Sequence, residues 1–282
     1  NRAFGFGNTS QFDPFLLLDD FRNDYQIDYE KGFPWHPHRG IETITYILKG
    51  SVEHKDSLGN SGELNDGDIQ WMTAGSGILH QEMPKGNING QMHGFQLWAN
   101  LPSDLKMTNP NYQDVKGNEI NTIKDDDETI IKIIIGNYKG YIGPIKEVAS
   151  KPQYLDIYVP PNTVKTIPMS TYDNCFAYVF EGSAKFDYSS KPQGIKVEKS
   201  FNNEDYTIRD LSGNKTLITF DTGDEIKLLS GNHGVRFLLI SGTPIQEPVA
   251  WHGPIVMNTN DEIKLAMQEL NNGTFIKNKG GI

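Results

Sequence analysis

The chain repeats one strand–glycine–strand pattern, first in Tyr46-Ile47-Leu48-Lys49-Gly50-Ser51-Val52-Glu53 and again in Tyr178-Val179-Phe180-Glu181-Gly182-Ser183-Ala184-Lys185. Further along each copy, Gly67-Asp68-Ile69 is matched by Gly223-Asp224-Glu225. Such self-similarity is typical of a duplicated structural unit. We therefore expect two tandem copies of one β-barrel.

The sequence outside the repeat also favours an all-β fold. Short apolar and β-branched runs, such as Ile130–Ile135 and Val235–Ile240, are separated by Gly, Asn, Asp and Pro. Many short strands with frequent turns indicate a sandwich or barrel rather than alternating strands and helices. The predicted domains are an N-terminal barrel over residues 1–118 and a C-terminal barrel over residues 119–282. The acidic stretch Lys124–Glu128 between them reads as a solvated turn or linker.

One segment near the end has helical rather than strand periodicity. Asp261–Leu270 has apolar residues at helical spacing and two acids in its first turn. Thr259-Asn260 supplies a start signal and Gly273 a stop signal. We expect a short surface helix that packs one face against a barrel, and we assign it to the C-terminal domain.

Composition limits the partners and the location of the protein. The chain has 282 residues and a formal charge of −10, from 26 basic and 36 acidic residues, so a broad basic surface for direct nucleic-acid binding is not expected. No window approaches the ~20 apolar residues that a membrane helix needs. The single Cys175 cannot form an internal disulfide, which favours a reducing compartment. We expect a location in the cytoplasm, the nucleus or both, because the sequence has no strong Lys/Arg run that would act as an address. Two barrels that cover each other favour a monomer.

Two short motifs carry the chemistry: His36-Pro37-His38 and His80-Gln81-Glu82. Side chains alternate between the faces of a strand, so both members of each motif point the same way. Two neighbouring strands could therefore direct three imidazoles and one carboxylate at a single ion. Such donors suit iron, zinc, copper, nickel or manganese, and an open coordination position would let a substrate or dioxygen bind.

Glu42 is a competing carboxylate, because it has the same strand parity as His38 and follows it by four positions. Ile44 and Tyr46 share this parity, so the ligand face is expected to continue as an apolar interior. Spacing alone does not choose between Glu42 and Glu82 as the fourth ligand. His54, in a polar stretch, is expected to be exposed.

The second copy of the repeat lacks the first histidine motif. When Gly50 is aligned with Gly182, Pro168 and Ser170 take the places of His36 and His38. The C-terminal barrel is therefore expected to serve as a scaffold or interaction surface without a metal.

Several longer segments resemble the pirin family of the cupin superfamily. They are Asp13–Phe21, Gly32–Thr43, Gly67–Pro84 and His252–Asn260. The resemblance covers essentially the whole chain and implies two cupin (jelly-roll) barrels, with one mononuclear metal, usually iron as Fe(2+), in the N-terminal barrel. It places the metal ligands at His36, His38, His80 and Glu82. The general cupin pattern would use Glu42 instead, which in a pirin becomes a group that supports the ligands or faces the substrate.

The same resemblance implies two alternative functions. The first is quercetin 2,3-dioxygenase activity, an oxidative ring opening of flavonols, with Glu82 or Glu42 as the general base. The second is an iron- and redox-dependent nuclear cofactor that acts through a transcription-regulator protein without catalysis. The partner is accordingly expected to be a flavonol-like small molecule or a protein.

Overall fold

The chain folds into two compact units. The computed structural model describes residues 2–187, 193–194 and 212–277. The first unit comprises Phe4–Glu119 and Ile245–Ile282, and the second comprises Asn1–Ala3 and Ile120–Pro244. This division by contacts differs from the predicted boundary, because it groups the C-terminal segment with the first unit. The ion pair between Arg39 and Glu269 is one such contact.

Antiparallel strands form most of the first unit. After a short strand β1 (Arg2–Phe4), its elements are α1 (Thr9–Phe12), β2 (Phe15–Asp20), α2 (Gln26–Tyr29), β3 (Phe33–His38), β4 (Ile41–Lys49), β5 (Ser51–Asp56), β6 (Ser61–Leu64), β7 (Ile69–Thr73), β8 (Ile78–Lys85), β9 (His93–Asn100), β10 (Asn111–Val115) and a 3₁₀ turn (Gly117–Glu119).

The second unit contributes the following strands in chain order: β11 (Asn121–Lys124), β12 (Ile130–Ile135), β13 (Asn137–Tyr138), β14 (Tyr141–Ile142), β15 (Gln153–Val159), β16 (Val164–Pro168), β17 (Asn174–Asp187), β18 (Gln193–Gly194), β19 (Ser212–Gly213), β20 (Thr216–Thr219) and β21 (Glu225–Gly242). The chain then returns to the first unit with β22 (Ala250–His252), β23 (Ile255–Met257) and α3 (Asn260–Asn271).

Two sheets enclose the interior of the first unit. One contains neighbouring strands in the order β2-β9-β4-β7-β10, and the other has the order β3-β8-β5-β6. Side chains meet between the sheets: Gln96 on β9 donates a hydrogen bond to Glu82 on β8, and Gln70 on β7 lies 3.0 Å from His54 on β5. β3 and β4 follow each other in sequence but belong to different sheets.

The second unit has the same kind of fold but an apolar interior. Its main sheet runs β11-β12-β15-β21-β17-β20-β18. A cluster of buried apolar side chains fills it, including Ile133, Ile157 and Phe237. β17 bends at Gly182, which has a φ of 68°, and its sequence counterpart Gly50 has a φ of 87°. The prediction of two cupin barrels in an all-β chain is confirmed.

The C-terminal helix begins where the sequence indicated. Thr259 caps α3 in a capping box with Glu262. Ile263 and Ala266 on its inner face are buried against the β22–β23 hairpin. Within the described ranges, none of the helices combines the length and apolar character that crossing a bilayer requires.

Candidate metal centre

Three imidazoles converge inside the first unit. Their ligand atoms all lie within 4.8 Å of one another, and the three residues are His36, His38 and His80. β3 and β8 pair antiparallel with His36 directly opposite His80. Since His36 and His38 are two positions apart on β3, both face the same side as His80. The adjacent-strand geometry expected from the two motifs thus holds for these three side chains.

The nitrogen positions fit a single transition-metal ion. His36 Nε2 and His38 Nε2 are 3.1 Å apart. Two nitrogens that bind one ion at about 2.1 Å and at right angles are separated by about 3.0 Å. Both ring nitrogens of His80 are buried and have no hydrogen-bond partner among the described residues. A buried imidazole without partners is unfavourable, and a bound metal would satisfy one of these nitrogens.

Hydrogen bonding selects the His36 nitrogen that faces the cluster. His36 Nδ1 lies 3.0 Å from the Pro34 carbonyl oxygen. A carbonyl can only accept, so Nδ1 carries the proton and Nε2 keeps its lone pair for a metal. This partnership of one ring nitrogen with a backbone carbonyl is common around metal-bound histidines.

Burial keeps the other two imidazoles neutral at physiological pH. It holds the pKa of His38 well below its usual 6.5, with further lowering by His80 and His36. The Pro254 carbonyl near the ring opposes this effect, although His38 Nδ1 has no partner with hydrogen-bond geometry. Burial also lowers the pKa of His80 to about 4, against the opposing charge of Glu82. Neutral rings are the form that binds a metal.

Glu82 lies beside the three histidines but does not join their cluster. Its two carboxylate oxygens each accept a hydrogen bond from Gln96 Nε2 at 3.3 Å, and Thr45 Oγ1 donates to Oε1 at 3.5 Å. Trp98 Nε1 donates to Gln96 Oε1 at 3.1 Å. This bond fixes the orientation of the Gln96 amide, so its donor group faces Glu82.

Glu42 lies on the opposite face of β4 from these groups, contrary to prediction. Thr43 pairs with Trp98 and Thr45 with Gln96, so the odd-numbered positions of β4 face the histidines. Glu42 instead accepts a hydrogen bond from Thr73 Oγ1 at 2.8 Å. Strand parity is not carried from β3 to β4, because Gly40, with a φ of 76°, turns the chain into the other sheet.

A cavity of about 260 Å³ opens next to Glu82. Its polar lining includes Thr45, Glu82 and Gln96 together with Asp19, Asp28 and Lys31. Its apolar walls come from five side chains: Phe21, Phe33, Val52, Pro84 and Met92. Glu82 is two positions from His80 on the same face of β8 and is the lining residue that connects the cavity to the histidine cluster. Among the described residues, His36, His38 and His80 themselves do not line the cavity. Glu42 does not line this cavity in the described part of the chain.

His54 is a site residue that the sequence reasoning missed. It was expected to be exposed, but it is 4% exposed and lies opposite Glu82 on β5. Its Nε2 is 3.0 Å from Gln70 Nε2 and 3.7 Å from Asp114 Oδ2. Tyr112 stacks on its ring with centroids 6.1 Å apart. The alternation of Val52, His54 and Asp56 as buried residues would have indicated an inward-facing position.

Comparisons with known proteins agree with this architecture. The Pirin family matches residues 1–99, and the Pirin C-terminal cupin domain matches residues 154–276. A pirin-like protein of Caulobacter vibrioides is 39% identical over 275 residues, covering 97% of this chain and 91% of that protein. A Thermoplasma acidophilum protein named provisionally as a quercetin 2,3-dioxygenase is 35% identical, covering 93% and 99%.

A solved structure shows the same fold. The quercetin 2,3-dioxygenase of Acinetobacter baumannii has a TM-score of 0.81 at 29% identity, covering 97% of this chain and 90% of that one. Fold and site together define a protein of two cupin domains with a histidine cluster in the first unit. The chain belongs to the pirin family.

Proposed function

We propose that the chain is a metal-dependent dioxygenase that opens the central ring of flavonols such as quercetin. The observation that carries this proposal is a cavity lined by Glu82, which lies two positions from His80 on the same face of β8. The names of the Acinetobacter and Thermoplasma relatives support the choice of substrate. The apolar walls of the cavity suit flat aromatic rings.

His36, His38 and His80 would hold one divalent transition metal, for which we propose iron. Imidazole nitrogens also accept nickel, zinc and copper, so the donor set leaves the ion to be measured. When bound, the metal would act as a Lewis acid toward the hydroxyl and carbonyl oxygens of the flavonol and allow reaction with dioxygen.

Glu82 is the proposed general base. Its carboxylate lines the cavity and is oriented by Gln96 and Thr45, so it can accept the proton of the flavonol 3-hydroxyl. In the overall reaction one flavonol and one dioxygen give one ring-opened ester and one carbon monoxide. Glu82 then returns its proton to the product. Glu42 has no role in the proposed reaction, because it lies on the far face of β4 and accepts a hydrogen bond from Thr73.

Apolar and aromatic side chains lie near Glu82 and His38. Phe33 and Met92 line the same cavity as Glu82. Trp98 packs edge-on against His38, with ring centroids 5.1 Å apart and an interplanar angle of 89°.

The test is an aerobic quercetin assay on protein loaded with Fe(II). We expect loss of flavonol absorbance together with release of carbon monoxide. The double variant His36→Ala/His38→Ala should bind no metal and show no activity. His233→Ala serves as the matched control, because His233 is an exposed histidine of the second unit. If the loaded wild-type protein leaves quercetin unchanged, the dioxygenase proposal fails and a non-catalytic role through a protein partner is the remaining hypothesis.

A further inference from the structure

The residue after His38 contacts the C-terminal part of the chain. Arg39, the next residue, is 2% exposed, and its guanidinium forms an ion pair with Glu269 on α3 at 2.7 Å. The same guanidinium donates to the Phe275 carbonyl at 2.9 Å and lies 4.1 Å from the centre of the Phe275 ring. Its Nε donates to the Ser76 carbonyl, two residues before β8 begins.

A second buried cation joins the same two regions. Lys106 is 1% exposed and donates to the carbonyls of Gly40 and Val256, at 2.9 and 3.0 Å. Val256 N in turn donates to the Arg39 carbonyl at 3.0 Å. Both carbonyl groups of the turn after His38 are therefore connected to β23. The Arg39 carbonyl accepts from Val256 N directly, and the Gly40 carbonyl shares the Lys106 ammonium with the Val256 carbonyl.

The C-terminal segment also reaches the ring of His38 through aromatic packing. Trp251 on β22 packs against Trp98, with centroids 6.0 Å apart, and Trp98 packs against His38. The Pro254 carbonyl, in the β22–β23 turn, lies near the same imidazole. Backbone and ring of His38 are therefore both supported by residues of the C-terminal segment.

We propose that the C-terminal segment, residues 250–275, is a positioning element of the metal centre that holds His38 in its metal-binding orientation through Arg39. This inference rests on the proposed metal site. Neither Glu269 nor Phe275 belongs to the histidine cluster, so their effect on metal binding passes through Arg39 and the strand that bears His38. Supporting groups behind metal ligands commonly change affinity by about 10- to 100-fold.

The experiment measures Co(II) affinity by competition with a chelator, in wild type and in Glu269→Gln. The substitution removes the charge that faces Arg39 while keeping the size of the side chain. The control is Asp261→Asn, which removes an exposed ion pair with Lys264 in the first turn of the same helix. We expect the Kd for Co(II) to rise about tenfold in Glu269→Gln and to be unchanged in Asp261→Asn.

Two further readouts separate positioning from folding and from failure of the site itself. Circular dichroism identifies a temperature at which every variant is folded, and the affinities are compared there. In metal-free protein, the NMR signals of the His38 ring should broaden or move in Glu269→Gln but not in the control.

Equal Co(II) affinity in folded wild type and Glu269→Gln overturns this inference, whereas no Co(II) binding by wild type overturns the metal centre instead. If Glu269→Gln does not fold, the Co(II) affinity of Phe275→Leu is compared with wild type instead. This variant keeps an apolar side chain but loses the ring under Arg39, and equal affinity would again overturn the inference.

Discussion

Protonation of His80 should make the metal-free first unit sensitive to mild acid. The ring is 1% exposed, and burial lowers its pKa to about 4 from an ordinary 6.5. Above pH 6.5 the ring is neutral in both the folded and the unfolded state, so His80 does not lower the unfolding free energy there. Between pH 6.5 and about 4 only the unfolded state takes up the proton, and stability is progressively lost.

The size of this effect follows from the interval between the two pKa values. At about 1.4 kcal/mol per pH unit, the span from 6.5 to about 4 corresponds to about 3 kcal/mol of unfolding free energy. The lowered pKa of His38 acts in the same direction. A domain with a total stability of about 5–15 kcal/mol would be strongly affected by such a loss.

Tryptophan fluorescence provides the assay. All four tryptophans, Trp35, Trp71, Trp98 and Trp251, belong to the first unit, so urea unfolding followed by their emission reports on that unit. Chelator-treated protein is compared between pH 7.5 and 4 as wild type and as His80→Leu. We expect the variant to lose about 3 kcal/mol less over this range than wild type.

A control variant and a clear contrary result complete the design. His233→Gln alters an exposed histidine outside the first unit and should follow the wild-type pH dependence. If wild type and His80→Leu differ by a constant amount at every pH, burial does not control the protonation of His80 and the reasoning is refuted.

Three other predictions concern the base, the turn and the helix. Glu82→Gln should slow flavonol consumption by about 100-fold or more while Glu42→Gln has a much smaller effect, and equal losses in a quercetin assay would contradict the assignment of the base. Gly40→Ala should destabilise the first unit by about 2 kcal/mol more than Gly59→Ala in urea unfolding. Both glycines have positive φ, but a Cβ at Gly40 would lie 1.9 Å from the Val256 oxygen whereas the space at Gly59 is open, so similar losses would count against this packing. Thr259→Ala should remove the capping box of α3 and lower the unfolding free energy of the first unit by about 1 kcal/mol, and an unchanged urea midpoint would show that the cap contributes nothing.

Local periodicity was sufficient to predict the histidine cluster. His36 and His38 share a face of β3, and His80 lies directly opposite His36 on β8, so alternation and one strand pairing account for the geometry. Alternation failed for Glu42 because a turn at Gly40 separates two strands of different sheets. Parity is a property of one continuous strand, and it is lost where the chain changes sheet.

The support of the histidine cluster by the C-terminal segment could not be predicted from the sequence, because it depends on long-range contacts. The ion pair between Arg39 and Glu269 joins residues 230 positions apart, and no local pattern marks either residue as a partner of the other. His54 was missed for a different reason. Polar residues in a strand usually indicate the solvent face, whereas here they line a polar interior.

The duplicated fold makes that polar interior informative. The second unit fills its corresponding space mainly with buried apolar side chains, including Leu155 and Leu239, and its buried Lys165 is ion-paired with Asp125. The first unit instead buries Glu82, His54 and Gln70, and the half-buried Gln96 donates a hydrogen bond to Glu82. Burial of polar groups lowers stability unless each finds a partner, and both ring nitrogens of His80 have none within the residues described. Packing therefore explains the second interior but not the first. The proposed site, which would bind a metal ion and place a carboxylate beside a substrate, would account for the residues that the first unit retains.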